Sequence, residues 1–205
     1  MDRVALVNKV KTKIDEISTL DTPLQAITMA DEKPIDTIIE SLLDESALEI
    51  LLKAPFHRLD IASATPTITQ DKTDTTTGKI TAPEDFLRLV SFRMDDWERS
   101  VTELSIKGDA ISRRQSNKYI RGGQSRPVGV LSKSDKGIEI EYYSTKSTSH
   151  KLSEFLYIKK TSAENITDTQ MIEAMTWICA GRALLIVGNA DDAKNAYDNA
   201  QSLMI

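Results

Sequence analysis

Residues 167–204 read TDTQMIEAMTWICAGRALLIVGNADDAKNAYDNAQSLM, and their residue spacing predicts two consecutive α-helices. Gly188 ends the first helix and Asn189 caps the second, because glycine accepts a left-handed backbone and asparagine accepts backbone N–H groups. One broad face of the first helix carries Met171, Ala174, Met175, Ile178, Arg182 and Leu185. The second helix has a face of mostly small residues that lets a neighbouring helix approach closely, formed by Ala193, Ala196, Tyr197, Ala200 and Leu203.

The first 55 residues also show helical spacing. An amphipathic helix over residues 2–19 is predicted from Val4, Val7, Val10, Ile14 and Ile17. Asp21-Thr22-Pro23 indicates a short helix or turn, and Pro34 starts a longer helix. The predicted apolar face of that longer helix consists of Ile35, Ile38, Ile39, Leu42, Leu43, Leu48, Leu51 and Leu52.

Between these ends, apolar residues alternate with polar ones, which is typical of half-buried strands. Residues 67–69 and 79–81 flank a polar segment and predict a long hairpin with a mobile tip that contains Asp71 and Asp74. Residues 109–118 predict a short helix within this region. The alternating positions are Val90, Phe92 and Met94, then Ile138, Ile140 and Tyr142, then Phe155, Tyr157 and Lys159.

The predicted fold class is therefore α+β, with terminal helices forming a helical bundle and a central, mostly antiparallel β insertion. We place the N-terminal helices at 1–59, the β insertion at 60–165 and a C-terminal helical hairpin at 166–205. The hairpin is expected to pack with the N-terminal helices, which gives a single composite domain plus an insertion.

The composition of the chain excludes several classes of protein. The 205 residues include 26 basic and 31 acidic side chains, a net charge of −5, so the whole surface is not built to bind nucleic acid. A single cysteine, Cys179, excludes an intramolecular disulfide. No signal peptide is predicted, and Glu173, Thr176 and Arg182 interrupt the apolar stretch 172–187, so no membrane span is expected. We expect a reducing cytoplasm, or a particle assembled there.

Groups capable of catalysis are sparse in the sequence. His57 and His150 are the two histidines, and each is expected to be a surface residue. Cys179 is expected to act as a small buried hydrophobe. Glu139 and Glu141 are expected to form a solvated strand face. We predict no catalytic, metal-binding or cofactor-binding residue, and no enzyme activity.

Residues 113–126, RRQSNKYIRGGQSR, hold five basic residues and no acidic one. Three interpretations stay open: a flexible solvated loop, a contact with another protein, and a contact with nucleic-acid phosphates. The hairpin tip at residues 71–78 is expected to order on assembly. The candidate partner-contact residues are Arg113, Arg114, Lys118, Tyr119, Arg121, Arg126, Asp71 and Asp74.

The run ITAPEDFLRL at residues 80–89 resembles a phrase that recurs in head–tail connector, or adaptor, proteins of tailed bacteriophages. Trp97 at the end of the following strand, the Arg126-Pro127-Val128 step with its later strand at 138–140, and the helical ending at 171–204 are similar to those proteins too. So is the order of elements. The resemblance covers most of the chain and extends to ring proteins in the neck of crAss-like gut phages.

The resemblance implies a structural virion protein, assembled in the host cytoplasm. It would form a homo-oligomeric ring, commonly dodecameric, below the portal protein and would contact other neck and tail proteins. The ring extends the channel through which genomic DNA passes without specific binding. The resemblance implies no catalytic residue, no cofactor and no membrane partner. Two alternatives stay open: another phage assembly or interaction protein, and a small DNA-binding module that uses residues 113–126.

Overall fold

A computed structural model of the chain describes residues 1–17, 35–135, 137–146 and 150–205. It contains both helices and strands, so the predicted α+β class, with terminal helices and a central sheet region, is confirmed. The chain divides into a helical unit, residues 1–60 with 160–205, and a β unit, residues 61–159. The helices are α1 (Arg3–Ile17), α2 (Ile35–Lys53), α3 (Ala110–Gln115), α4 (Thr169–Val187) and α5 (Ala190–Leu203).

Helix α4 is the centre of the helical unit, because α1, α2 and α5 all pack against it. Asp168 caps its first turn by accepting hydrogen bonds from the N–H groups of Gln170 and Met171, both at 2.9 Å. Length and apolar composition alone would allow α4 to cross a bilayer, but most of its residues are buried among the other helices.

The hairpin between α4 and α5 is as predicted. Gly188 has a left-handed backbone with a φ of 89°, and the Asn189 side chain accepts a hydrogen bond from the N–H of Asp192 at 3.3 Å. A Cβ added at Gly181 would lie 3.2 Å from the carbonyl oxygen of Ala193. The glycine and the buried alanines of α5 therefore let the two helix backbones approach closely. Those alanines are Ala193, Ala196 and Ala200.

Three residues assigned to buried helix faces are exposed instead: Val4, Leu52 and Leu185. Leu6 and Ile50 are fully buried. At about 100° of rotation per residue, Leu52 lies on the side of α2 opposite Ile50. Apolar spacing predicts that a helix has a buried face, but the neighbouring helices decide where the edges of that face fall.

The β unit holds two sheets. The strands are β1 (Ile61–Ser63), β2 (Thr67–Gln70), β3 (Gly78–Thr81), β4 (Phe86–Met94), β5 (Leu104–Ile106), β6 (Gly129–Ser134), β7 (Gly137–Tyr142) and β8 (Leu152–Lys159). One sheet has the order β1-β8-β4 and the other the order β2-β3-β7-β6-β5. All these pairs are antiparallel except β5 with β6, which are parallel and are connected through α3.

The alternation in β4 is only partly as predicted. Phe92 and Met94 are fully buried, but Val90 is half-buried and Leu89 is buried in its place. The register of β4 against β8 shifts between Leu89 and Ser91, and such an irregularity changes which side chains point into the core. The core of the β unit also contains Ile80, Ile140, Tyr142, Phe155 and Tyr157.

The helical unit resumes at Lys160, six residues before the position 166 inferred from the sequence. The reason is that Ala163 and Ile166 pack into the core of the helical unit after β8 has ended. The short helix or turn predicted at Asp21-Thr22-Pro23, the end of the first helix at residue 19, and Pro34 lie outside the described residues.

Candidate functional site

The tip of the β2–β3 hairpin has a defined conformation held by two carboxylates. Asp71 Oδ1 accepts hydrogen bonds from the N–H of Thr73 at 2.7 Å and of Asp74 at 3.3 Å. Asp74 Oδ1 accepts from the N–H of Thr76 at 3.1 Å and from its hydroxyl at 2.6 Å. The backbone hydrogen bond from Thr73 lowers the pKa of Asp71. The two carboxylates therefore satisfy backbone N–H groups of the turn, and the mobility expected of the tip stays a prediction.

Arg121 joins this tip to the basic segment. Its guanidinium lies 2.7 Å from Asp74 Oδ2 and donates a hydrogen bond to Thr76 Oγ1 at 2.5 Å. The side chain of Arg121 is only 10% exposed. The hydrogen bond from Arg121, followed by that from Thr76, holds the pKa of Asp74 well below its usual range. The structure thus brings together Asp74 and Arg121, two candidate contact residues 47 positions apart.

The first part of the basic segment is folded. Asp109 caps α3 by accepting a hydrogen bond from the N–H of Ser112 at 2.6 Å. Gln115 is buried, and its side-chain oxygen accepts from the N–H of Gly122 at 2.9 Å. A Cβ on Gly122 would lie 2.8 Å from the carbonyl oxygen of Arg126. These contacts turn the chain back on itself and give the segment a defined conformation, and the three interpretations of its function stay predictions.

Folding of this segment leaves an exposed surface that mixes apolar and basic side chains. Tyr119 is 84% exposed, and Lys118 Nζ lies 5.3 Å from the centroid of its ring. Arg113 Nε donates to the carbonyl of Gly108 at 3.0 Å, which leaves most of its guanidinium in solvent. We call this the 111–120 surface and define it by its exposed residues Ile111, Arg113, Arg114, Lys118, Tyr119 and Ile120. Arg126 is also exposed, outside this surface.

Cys179 is fully buried, as expected, and its burial raises the pKa of the thiol to about 12. The two strand carboxylates are less solvated than expected. Glu139 is 7% exposed and lies 2.9 Å from Lys79 Nζ. Burial raises the pKa of Glu141, but hydrogen bonds from Lys107 and Tyr143 outweigh this effect and leave the pKa lowered. Both carboxylates are paired with lysines from neighbouring strands or turns, an arrangement that stabilises the sheet.

His150 is half-buried, whereas a surface position was expected. Its ring contacts the Tyr142 hydroxyl, and Nε2 lies 2.8 Å from the carbonyl oxygen of Thr75 and 2.9 Å from Thr145 Oγ1. His150 therefore contacts the hairpin tip from a distant part of the chain and stabilises it. Sequence reasoning missed this role because Thr75 is 75 positions away and no local motif connects the two residues. His57 is exposed, as expected.

Within residues 1–17, 35–135, 137–146 and 150–205, no group of three or more His, Cys, Asp or Glu side chains is placed to hold a metal ion. Comparison of the sequence with models of known protein families and with curated proteins finds no match. The likeness to head–tail connectors therefore stays a prediction from the sequence.

Proposed function

We propose that this chain is a structural virion protein that forms a ring below the portal of a tailed bacteriophage, connects the head to the tail and extends the DNA channel. Its partners are copies of itself, the portal protein and other neck or tail proteins. Genomic DNA passes through the lumen without specific binding.

The observation that carries the proposal is the 111–120 surface. Isolated exposed apolar residues are common, but here Tyr119 and Ile120 are adjacent and exposed among three cations. Tyrosine and arginine are enriched at the centres of protein–protein interfaces. Contacts on both sides support this surface, because Asp109 caps α3 before it and Arg121 pairs with Asp74 after it. Such a surface suits a protein whose work is to bind other proteins.

The order of elements also supports the proposal. The helices before and after the β strands pack around α4 in one unit, and the strands between them form a unit of their own. Helices, then a β region, then paired helices is the order that the resemblance to connectors implies. The net charge of −5 is compatible with a channel that lets DNA pass, since strong phosphate binding requires clustered Lys and Arg.

The test is assembly with the portal protein encoded by the same phage genome. Purified protein is mixed with portal particles, and the mixture is examined by negative-stain electron microscopy and native mass spectrometry. We expect a ring docked on one end of the portal, and no docking on the portal of an unrelated phage. A chain that remains monomeric and never docks contradicts the proposal.

A second measurement addresses DNA. Salt-dependent retention on DNA-cellulose that is lost when Arg113, Arg114 and Lys118 become alanine would favour a DNA-binding module instead. The connector proposal expects weak retention that these three substitutions change little.

A further inference from the structure

The two units of the chain carry opposite net charge. The helical unit contains 10 basic and 18 acidic residues, and the β unit contains 16 basic and 13 acidic residues. The helical unit therefore has a net charge of −8 and the β unit a net charge of +3. A chain divided in this way attracts another copy of itself when the β unit of one copy meets the helical unit of the next.

The helical unit has a groove of about 400 Å³ that is lined by both polar and apolar side chains. Its lining includes Tyr197, Ala200 and Met204 from the end of α5 and the residues after it, with Glu49 and Lys53 from α2 at the wall. Glu45 is exposed next to Glu49, and both carboxylates contact Arg182. The groove thus offers apolar side chains beside polar ones, on the unit that has an excess of acidic residues.

We infer that Tyr119 and Ile120 of one copy dock into this groove on a second copy of the chain. The inference rests on the proposed function and names the contact between neighbouring subunits of the ring. The two contacting surfaces are different, so a bound pair of copies still offers one free surface of each kind. Such a heterologous contact continues from copy to copy until a ring closes.

Charge and chemistry favour a second copy over DNA as the partner. The 111–120 surface has exposed apolar side chains beside its cations, with Lys118 Nζ 5.3 Å from the centroid of the Tyr119 ring, whereas phosphate binding needs no apolar centre. Arg121, the least exposed cation of the basic segment, is already paired with Asp74. The helical unit as a whole has a net charge of −8, opposite in sign to Arg113, Arg114 and Lys118, and it carries a groove that can take their apolar neighbours.

Engineered cysteines test the contact. A chain carrying Ser116→Cys, at an exposed position of the same segment that keeps Tyr119 and Ile120, is mixed with a chain of larger mass carrying Gln201→Cys in the groove wall, and the pair is oxidised with and without portal protein. The native Cys179 is buried and does not interfere. We expect a mixed disulfide dimer. Ile120→Ser in the first chain should lower its yield about tenfold, because central apolar anchors carry most of an interface's affinity.

Two matched controls accompany this experiment. In the first control, Val4→Cys replaces Gln201→Cys. Val4 lies on α1 of the same helical unit and is 68% exposed, and this variant should give little mixed dimer. Ile106→Ser removes an exposed isoleucine outside the 111–120 surface and should leave the yield unchanged.

Mixed dimer at the same yield with Val4→Cys as with Gln201→Cys, or no mixed dimer at all, overturns the inference. Tyr119→Ser that leaves the mass of the assembly unchanged but weakens DNA retention overturns it in favour of DNA. Rings that dock on the portal but lack the specific cross-link would contradict this contact and would still support the proposed function. A specific cross-link without portal docking supports the contact and counts against the proposed function.

Discussion

Replacing Arg121 by methionine tests how the basic segment is fastened to the hairpin tip. Methionine keeps an apolar stem of similar length but removes the guanidinium that contacts Asp74 at 2.7 Å and Thr76 at 2.5 Å. Among the residues that the structure describes, Arg121 is the one member of the basic segment that forms an ion pair. The substitution should therefore loosen the tip without unfolding the β sheets.

The size of the effect follows from the exposure of the two partners. A hydrogen bond to a charged group contributes about 1.5–3 kcal/mol net, and Arg121 makes two hydrogen bonds, one of them to a carboxylate. Asp74 is 40% exposed, so water replaces part of the lost interaction. We expect a loss of about 2 kcal/mol for closure of the tip, which corresponds to about a thirtyfold change in its opening equilibrium.

Hydrogen exchange of individual amides measures this equilibrium. The N–H of Thr76 donates to Asp74 Oδ1 and the N–H of Thr77 donates to the Asp74 carbonyl, so both report on the tip. Their protection should fall about thirtyfold in Arg121→Met, while amides in α4 keep theirs. Arg126→Met, at an exposed arginine of the same segment, is the matched control. Equal protection in the two variants would refute the reasoning.

Three further predictions concern pH, packing and thiol reactivity. Because the pKa of Asp74 is lowered in the folded chain, its stabilisation of the tip is present above its usual value of about 3.9 and is lost as the pH falls below it. Protection at the tip should fall with that titration in the wild type but not after Asp74→Asn. Gly78→Ala places a Cβ 2.3 Å from the Tyr142 hydroxyl oxygen and should destabilise the β unit by about 1–3 kcal/mol in thermal unfolding. Gly123→Ala has nothing within 4 Å of the added Cβ and should behave as wild type, and equal melting of the two variants would contradict the packing argument. Cys179 should resist a disulfide reagent at about pH 8 until the protein unfolds, since only the thiolate reacts, and rapid labelling of the native protein would contradict its burial.

Much of the fold was predictable because its signals are local. Gly188 marks the end of α4 and Asn189 the start of α5, and Asp109 marks the start of α3. The sequence pattern also predicted the β2–β3 hairpin and strands β7 and β8. Each of these signals acts through hydrogen bonds or side-chain periodicity inside one short segment.

The sequence identified residues of the candidate site, but it did not show which of them contact one another. The basic segment and the hairpin tip were both identified, but their connection through Arg121 and Asp74 was not. The brace from His150 to Thr75 was missed altogether. Such partners are separated by dozens of residues, and nothing in the spacing of either residue indicates the other.

By itself, the sequence determined the α+β class, the positions of the main helices and strands, and the apolar residues available for each core. Only the tertiary structure decided that Arg121 is mostly buried and paired with Asp74, that Tyr119 is exposed to solvent, and that Leu52 lies outside the core. Local periodicity fixes the conformation of an element. Which side chains are buried or paired depends on the neighbours that the fold brings from distant parts of the chain.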